Sequence, residues 1–313
     1  ICTAEHNYIS QYKKLSSATY QEMADKTPIV VGIGEVLWDI LPEGRKLGGA
    51  PANFAYHVSQ LGLQSRVVSA VGDDALGRQI LSEFSAKGLR NLIAIIPYPT
   101  GTVHIDIDDE GIPQYSITED VAWDHIPFTP ELADLARSTR AVCFGTLAQR
   151  SVTTRDTIRR FVETMPHNDK TLIVFDANLR QNCYNKDVLE SSMHRCNTLK
   201  LNDEELCTIV KMMDGTNIEI QSLQRETVRR YATELISRYN LKMVILTCGI
   251  NGSYIVTSET SSFLPTPKVE VVDTVGAGDA FTATFVTSIL SDKSVVEAHR
   301  KAVDVAAYVC TKS

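Results

Sequence analysis

The sequence predicts a three-layer α/β/α domain on a mostly parallel central sheet, with a small second β-sheet attached as a lid. Three observations carry this. Short β-branched runs alternate with helical segments along most of the 313 residues, as in a parallel sheet covered on both faces. Within two early stretches, about 36–47 and 100–120, residues 36–41, 102–106 and 114–118 alternate apolar with polar residues between Gly and Asp turns, which suits a separate half-exposed sheet. A hydrophobic fraction of 43% and a charged fraction of 22% are those of an ordinary globular chain.

Residues 1–27 read as an N-terminal extension in which Tyr8, Tyr12, Leu15, Thr19 and Met23 fall at helical spacing. The domain proper occupies 28–313. Residues 28–33 form a β-branched run ending near glycine, a buried strand. Residues 36–41, 102–106 and 114–118 are the strands of the small sheet. A helix follows over 52–61, with Pro51 in its favoured first turn. Residues 66–71 read as strand and 75–86 as helix, closed by Gly88. Further strands are expected at 141–144, 171–175, 198–201, 243–247 and 253–256. Further helices are expected at 152–163, 204–211, 225–239, 277–290 and 295–310. In such folds ligands bind at the carboxyl ends of the strands.

Bulk properties exclude several classes. The net charge is −7, and no basic stripe with interleaved aromatics speaks for nucleic acid. No apolar run approaches the roughly 18–20 residues of a membrane helix. The start lacks the basic-then-apolar order of a signal peptide. Seven cysteines without a C-x-x-C pair predict buried thiols in a reducing cytoplasm and no zinc site. The Gly32-x-Gly34 pair is no dinucleotide fingerprint, because Leu37 takes the third glycine's place and strand follows. A P-loop motif is absent.

Two motifs carry chemistry. Asp273-Thr-Val-Gly-Ala-Gly-Asp279 leads into a helix. The backbone N–H groups of Gly276, Ala277 and Gly278, with the helix dipole behind them, can cradle an anion. Asp279 stands beside that anion, where a carboxylate can take a proton from a hydroxyl. Gly48-Gly-Ala-Pro-Ala-Asn53 also precedes a helix. Its glycines let a ligand approach backbone, and Asn53 offers donor and acceptor to a polyol.

Together these motifs resemble the ribokinase-like (PfkB) carbohydrate kinase family, and within it the fructokinases. The first pattern is met by Gly48, Gly49, Pro51, Asn53, Ala55, Gly62 and Gly72, the second by Asp273 through Asp279 and Ala283. Thr284 departs from a usual Ala or Gly, which implies tighter helix packing there. The resemblance covers about nine-tenths of the chain, from Pro28 onward. It implies a ribokinase-like fold and transfer of phosphate from ATP, with Mg²⁺ and optionally K⁺, to a small sugar. Fructose ranks first. A 2-keto-3-deoxygluconate, another hexose or a nucleoside is the alternative, and a catalytically silent sugar sensor is the non-enzymatic one.

The resemblance also implies roles. Asp279 is the base, with Gly276, Ala277, Gly278 and Arg180 stabilising the transferred phosphoryl group. Asp39, Gly48, Gly49 and Asn53 hold sugar. Asn178 of Asp176-Ala-Asn-Leu-Arg180, Asn202, and the Thr247-Cys-Gly249-Ile-Asn-Gly252 loop serve the nucleotide. Glu205 organises Mg²⁺ through water, while Asp273 and the Val275 carbonyl form a monovalent-cation site. A helix cap would look like Asn202-Asp-Glu-Glu205, and a strand-connecting turn like the Thr247 loop. The lid is expected to exclude water and to pair two copies as a homodimer. The family pattern continues with a Gly-containing loop and tail that help close the adenine and cation sites, whereas the chain stops at Ser313.

Overall fold

The computed structural model describes residues 27–42, 44–107 and 113–312; the helix expected within residues 1–26 lies outside them. The strands in chain order are β1 (Ile29–Ile33), β2 (Leu37–Leu41), β3 (Gly44–Gly48), β4 (Gln64–Gly72), β5 (Asn91–Ile96), β6 (Thr102–Ile107), β7 (Pro113–Ile117), β8 (Thr139–Phe144), β9 (Leu172–Asp176), β10 (Thr198–Asn202), β11 (Met243–Thr247), β12 (Ser253–Thr257) and β13 (Ser261–Leu264). The helices are α1 (Ala50–Gln60), α2 (Ala75–Ala86), α3 (Pro130–Ser138), α4 (Val152–Thr164), α5 (Lys186–Arg195), α6 (Asp203–Asp214), α7 (Arg225–Tyr239), α8 (Ala277–Leu290) and α9 (Val295–Val309).

The main sheet runs β13-β12-β11-β10-β9-β8-β1-β4-β5. Its pairings are parallel from β5 to β11 and antiparallel only at β12 and β13. Alternate residues of the central strands feed two cores, as the two-residue period requires. Val30, Ala141, Cys143, Leu172 and Val174 meet Phe54 and Val58 of α1 and Ala283 and Val286 of α8. Their neighbours Val31, Val142, Phe144, Ile173 and Phe175 meet the helices of the other face, including Ile158 and Phe161 of α4. Strand order reverses at β1, with β4 on one side and β8 on the other. That reversal opens a crevice at the carboxyl ends of the strands.

The second sheet, in the order β3-β2-β6-β7, stands apart from the first as expected. Five elements go unmarked by the sequence pattern: β3, β5, β13, α3 and α5. Gly44-Arg-Lys-Leu-Gly48 has no strand signal of its own and is extended by pairing residue for residue with β2. At β5 the sheet ends, and Ile95 is exposed, so apolar alternation is blurred there. Thr284 is fully buried within α8, its hydroxyl without a partner.

The antiparallel edge is fixed to α9 through His299. This fully buried ring lies 2.8 Å from Ser253 Oγ at Nε2 and 2.9 Å from Ser262 Oγ at Nδ1. Burial holds its pKa down at about 4. The unfolded chain, near 6.5, binds the proton more readily, so the stabilisation is complete above that value and is lost as pH falls from there toward 4. Urea midpoints measured from pH 7 to pH 4 should show a loss of roughly 2–3 kcal/mol that a His299→Gln variant lacks; parallel curves for the two proteins would contradict this.

Candidate active site

The segments that follow β1, β8, β9 and β10 converge on the crevice with the starts of α1 and α8. Glu35, Ala50, Pro51, Gly145, Asp176, Asn178 and Asp279 line a single small cavity there. Close approach of α1 to β1 requires glycine, since a Cβ on Gly32 would collide with the Pro51 carbonyl. Gly49, with φ +114°, caps α1, and a Cβ there would strike the Glu35 carbonyl. Gly48 closes β3, and a side chain on it would run into the Asp39 carboxylate.

Asp279 lies in the first turn of α8, next to Gly276, which adopts the left-handed conformation at φ +77°. First-turn amides have no intrahelical acceptor, so this end presents N–H groups and a positive dipole. The Ala277 N–H is already engaged by the Thr274 carbonyl at 3.2 Å. Asn53 Nδ2 donates to Asp279 Oδ2 at 3.0 Å; its amide donor thus orients the carboxylate. Burial pushes the Asp279 carboxyl above its ordinary range, while Asn53, Lys200 and Arg180 pull it back.

Asp39 sits within β2, not at a strand end, and burial raises its carboxyl against the pull of Arg180. Arg180 is exposed, yet its charge is felt at Asp39, Glu35 and Asp279 alike. Asn178 takes a left-handed conformation at φ +40° after β9, and Thr146 Oγ1 donates to its carbonyl at 3.2 Å.

Asn202 and Glu205 form a reciprocal capping box at the start of α6. Glu205 Oε2 accepts from the Asn202 amide at 2.8 Å and Oε1 from the Leu179 amide at 2.9 Å. The helix-cap alternative is therefore met, and Glu205 also ties α6 to the Asp176–Arg180 segment. Thr247 ends β11, and residues 249–251 make a tight turn into β12 with Gly249 at φ +51° and Gly252 at φ +102°. Asp273 Oδ1 accepts from the Val275 amide at 2.9 Å, and Lys46 of β3 approaches Oδ2 at 3.9 Å. Among the described residues no group of three or more His, Cys, Asp or Glu could hold a metal by itself.

Residues 43–313 match the family described as pfkB family carbohydrate kinase. The chain belongs to that family. It is 26% identical over 286 residues to a Pyrococcus horikoshii protein described as an uncharacterized sugar kinase, covering 85% of this chain and 84% of that one. The crystal structure of that protein matches at a TM-score of 0.75, over 91% and 92% of the two chains. The fructokinase of Salmonella typhimurium is 26% identical over 273 residues, 83% of this chain and 84% of its own. A fructokinase of Xylella fastidiosa solved with bound ATP shares the fold at 19% identity, with a TM-score of 0.77 over 91% and 92% of the chains. The protein is thus a sugar kinase, a phosphotransferase with an alcohol group as acceptor.

Two charged residues of this family member's crevice, Glu35 and Lys200, are given no role by the motif reading, and a third, Asp176, heads the Asp176–Arg180 segment without a role of its own. Lys200 stands directly opposite Asp176 in the β9–β10 register. Its Nζ lies 3.1 Å from Asp176 Oδ1, close enough for an ion pair though not aligned as a hydrogen bond. The lysine is only 8% exposed. Burial alone would strip its proton, but the carboxylates of Asp176, Glu205 and Asp279 lift its pKa above the ordinary lysine value. A Cβ on Gly278 would sit 3.4 Å from Lys200 Nζ, so this cation lies beneath the helix start. Burial raises the Asp176 pKa to about 6 even with Lys200 pulling it down. The available signal was a lysine inside an apolar strand, Thr198-Leu-Lys-Leu-Asn202, where burial forces a partner.

Lys200→Met should leave Asp176 buried without its cation and cost about 3–5 kcal/mol in urea unfolding. The double replacement Lys200→Met with Asp176→Leu should regain most of that stability while activity stays low. A single variant as stable as the wild type would show that the pair is not coupled.

Proposed function

We propose that this kinase transfers the γ-phosphoryl group of ATP to a hydroxyl of fructose. The observation that carries the mechanism is Asp279, oriented by Asn53 at the amino end of α8 beside the Gly276–Gly278 turn. In this reading the Asp279 carboxylate accepts the proton of the acceptor hydroxyl as its oxygen attacks phosphorus. The Gly276 and Gly278 amides and the α8 dipole stabilise the charge on the transferring group, with Arg180 at the rim and Lys200 below. The Ala277 amide joins them only by leaving the Thr274 carbonyl.

Asp39, Gly48, Gly49 and the free amide oxygen of Asn53 hold the sugar. Fructose is supported by the 26% identity to the Salmonella typhimurium fructokinase and to a probable fructokinase of Arabidopsis thaliana, together with Gly48-Gly-Ala-Pro-Ala-Asn53. Asn178, Asn202, Thr247, Gly249 and Gly252 face the nucleotide. Use of ATP is supported by the Pyrococcus horikoshii relative, 25% identical in its ATP complex. Asn202 and Glu205 would hold the waters of Mg²⁺, which when bound neutralises charge on the phosphate oxygens. Asp273 and the Val275 carbonyl are assigned to a monovalent cation such as K⁺. The small sheet acts as a lid that keeps water from the phosphoryl group.

ADP release measured over fructose, ribose, 2-keto-3-deoxygluconate and adenosine should give fructose the highest kcat/KM; equal turnover of the others would overturn the substrate assignment. Asp279→Ala should lower kcat about a thousandfold while sugar binding, read by thermal shift, persists. Activity kept within about tenfold would remove Asp279 from the proton-transfer step.

A further inference from the structure

One group in the crevice has no part in the mechanism above. Glu35 is 2% exposed, and its Oε2 has no hydrogen-bond partner. The backbone amides of Glu35 itself and of Ala50 draw its pKa down, which places the carboxylate at the start of α1. Glu35 lines the cavity it shares with Asp176 and Asp279, whose free volume is about 10 Å³, room for one water. Asp176 lines the same cavity, and its Oδ1, ion-paired with Lys200 at 3.1 Å, has no aligned hydrogen-bond donor. The polar partners a buried water needs are therefore present.

We propose that Glu35 is a positioning residue that works behind Asp279: through one buried water it takes up the proton that Asp279 removes from the sugar hydroxyl. The proposal rests on Asp279 being the base. As the new O–P bond forms, the bond from phosphorus to the ADP oxygen breaks and the hydroxyl proton passes to Asp279. Asp279 then gives a proton to the water, which releases one of its own to the Glu35 carboxylate. The water is regenerated, Asp279 is again ionised, and Glu35 loses its proton to solvent once products leave.

The groups facing Glu35 fit this. Asp279 on α8 opposes its ionisation and Arg180 favours it, while the buried Cys143 thiol of β8 feels its charge. Across the cavity lies Asp176 with its partner Lys200. Burial first, then the charge of Asp279, raises Glu35 to about 7. Two adjacent carboxylates in a dry site ionise one after the other. Below neutrality Glu35 keeps its proton and cannot accept another; above it, the acceptor is available. Turnover should therefore rise as pH passes through 7.

Glu35→Gln keeps the shape of the side chain and removes the titration. Its kcat at about pH 8 should fall about tenfold, the rise through neutrality should vanish, and KM for the sugar should stay within about twofold. A variant with the wild-type pH profile and kcat overturns the proposal. Infrared titration of the unliganded wild-type protein needs neither turnover nor the variant. A protonated buried carboxyl band that disappears near pH 7 is expected, and its absence also overturns the proposal. If Asp279→Ala stays active, the assignment of the base fails first. If it is inactive while Glu35→Gln behaves as wild type, only the role of Glu35 fails.

Discussion

Three carboxylates, Glu35, Asp176 and Asp279, share one almost dry cavity, and the surrounding architecture is organised by the need to keep that charge in place. Burial raises the pKa of all three. Lys200, set opposite Asp176 by the β9–β10 register, holds a positive charge beneath the start of α8. Glu35 lies at the start of α1, where the Ala50 amide draws its pKa down, and Asn53, one turn later, donates to Asp279. The positive ends of two helices, one buried lysine and the nearby guanidinium of Arg180 thus face three acids. Proton affinities are raised unequally as a result, which is the condition for one carboxyl to act as base beside another that holds a proton.

This arrangement depends on how closely backbone can approach backbone. The reversal of strand order at β1 creates the crevice, and both α1 and α8 lie over it, packed against each other across Phe54, Val58, Ala283 and Val286. A methyl group at Gly32 would force α1 off the sheet through Pro51. At Gly276 the chain must turn through the left-handed region to aim α8 at the cavity. The glycines of both motifs therefore bring the helix starts within reach of buried charge.

Division of labour follows from the two sheets. The buried carboxylates lie at the strand ends of the large sheet. The small sheet contributes Asp39 from β2 and the Gly44–Gly48 strand, whose Lys46 reaches toward Asp273 ahead of α8. That contact links the small sheet to the segment preceding α8.

The sequence by itself determined the fold class, the existence of the second sheet, most helices and strands of the main sheet, and the two glycine motifs that lead to Asp279 and Asn53. These are local properties: β-branched runs, helical spacing and the conformational freedom of glycine are written in neighbouring residues. Elements without a local signature were decided by pairing or packing, as in the charged β3, extended only by its register with β2. Tertiary structure alone also decided the site's electrostatics. Glu35, Asp176 and Lys200 come from three segments well separated along the chain, and nothing in their near neighbours announces that they meet. Nor could spacing show that the Asn53 amide is directed at Asp279, or that the capping Glu205 also accepts from the Leu179 amide and so ties α6 to the segment after β9. Burial and charge proximity are properties of the folded arrangement, and they set which acid holds a proton.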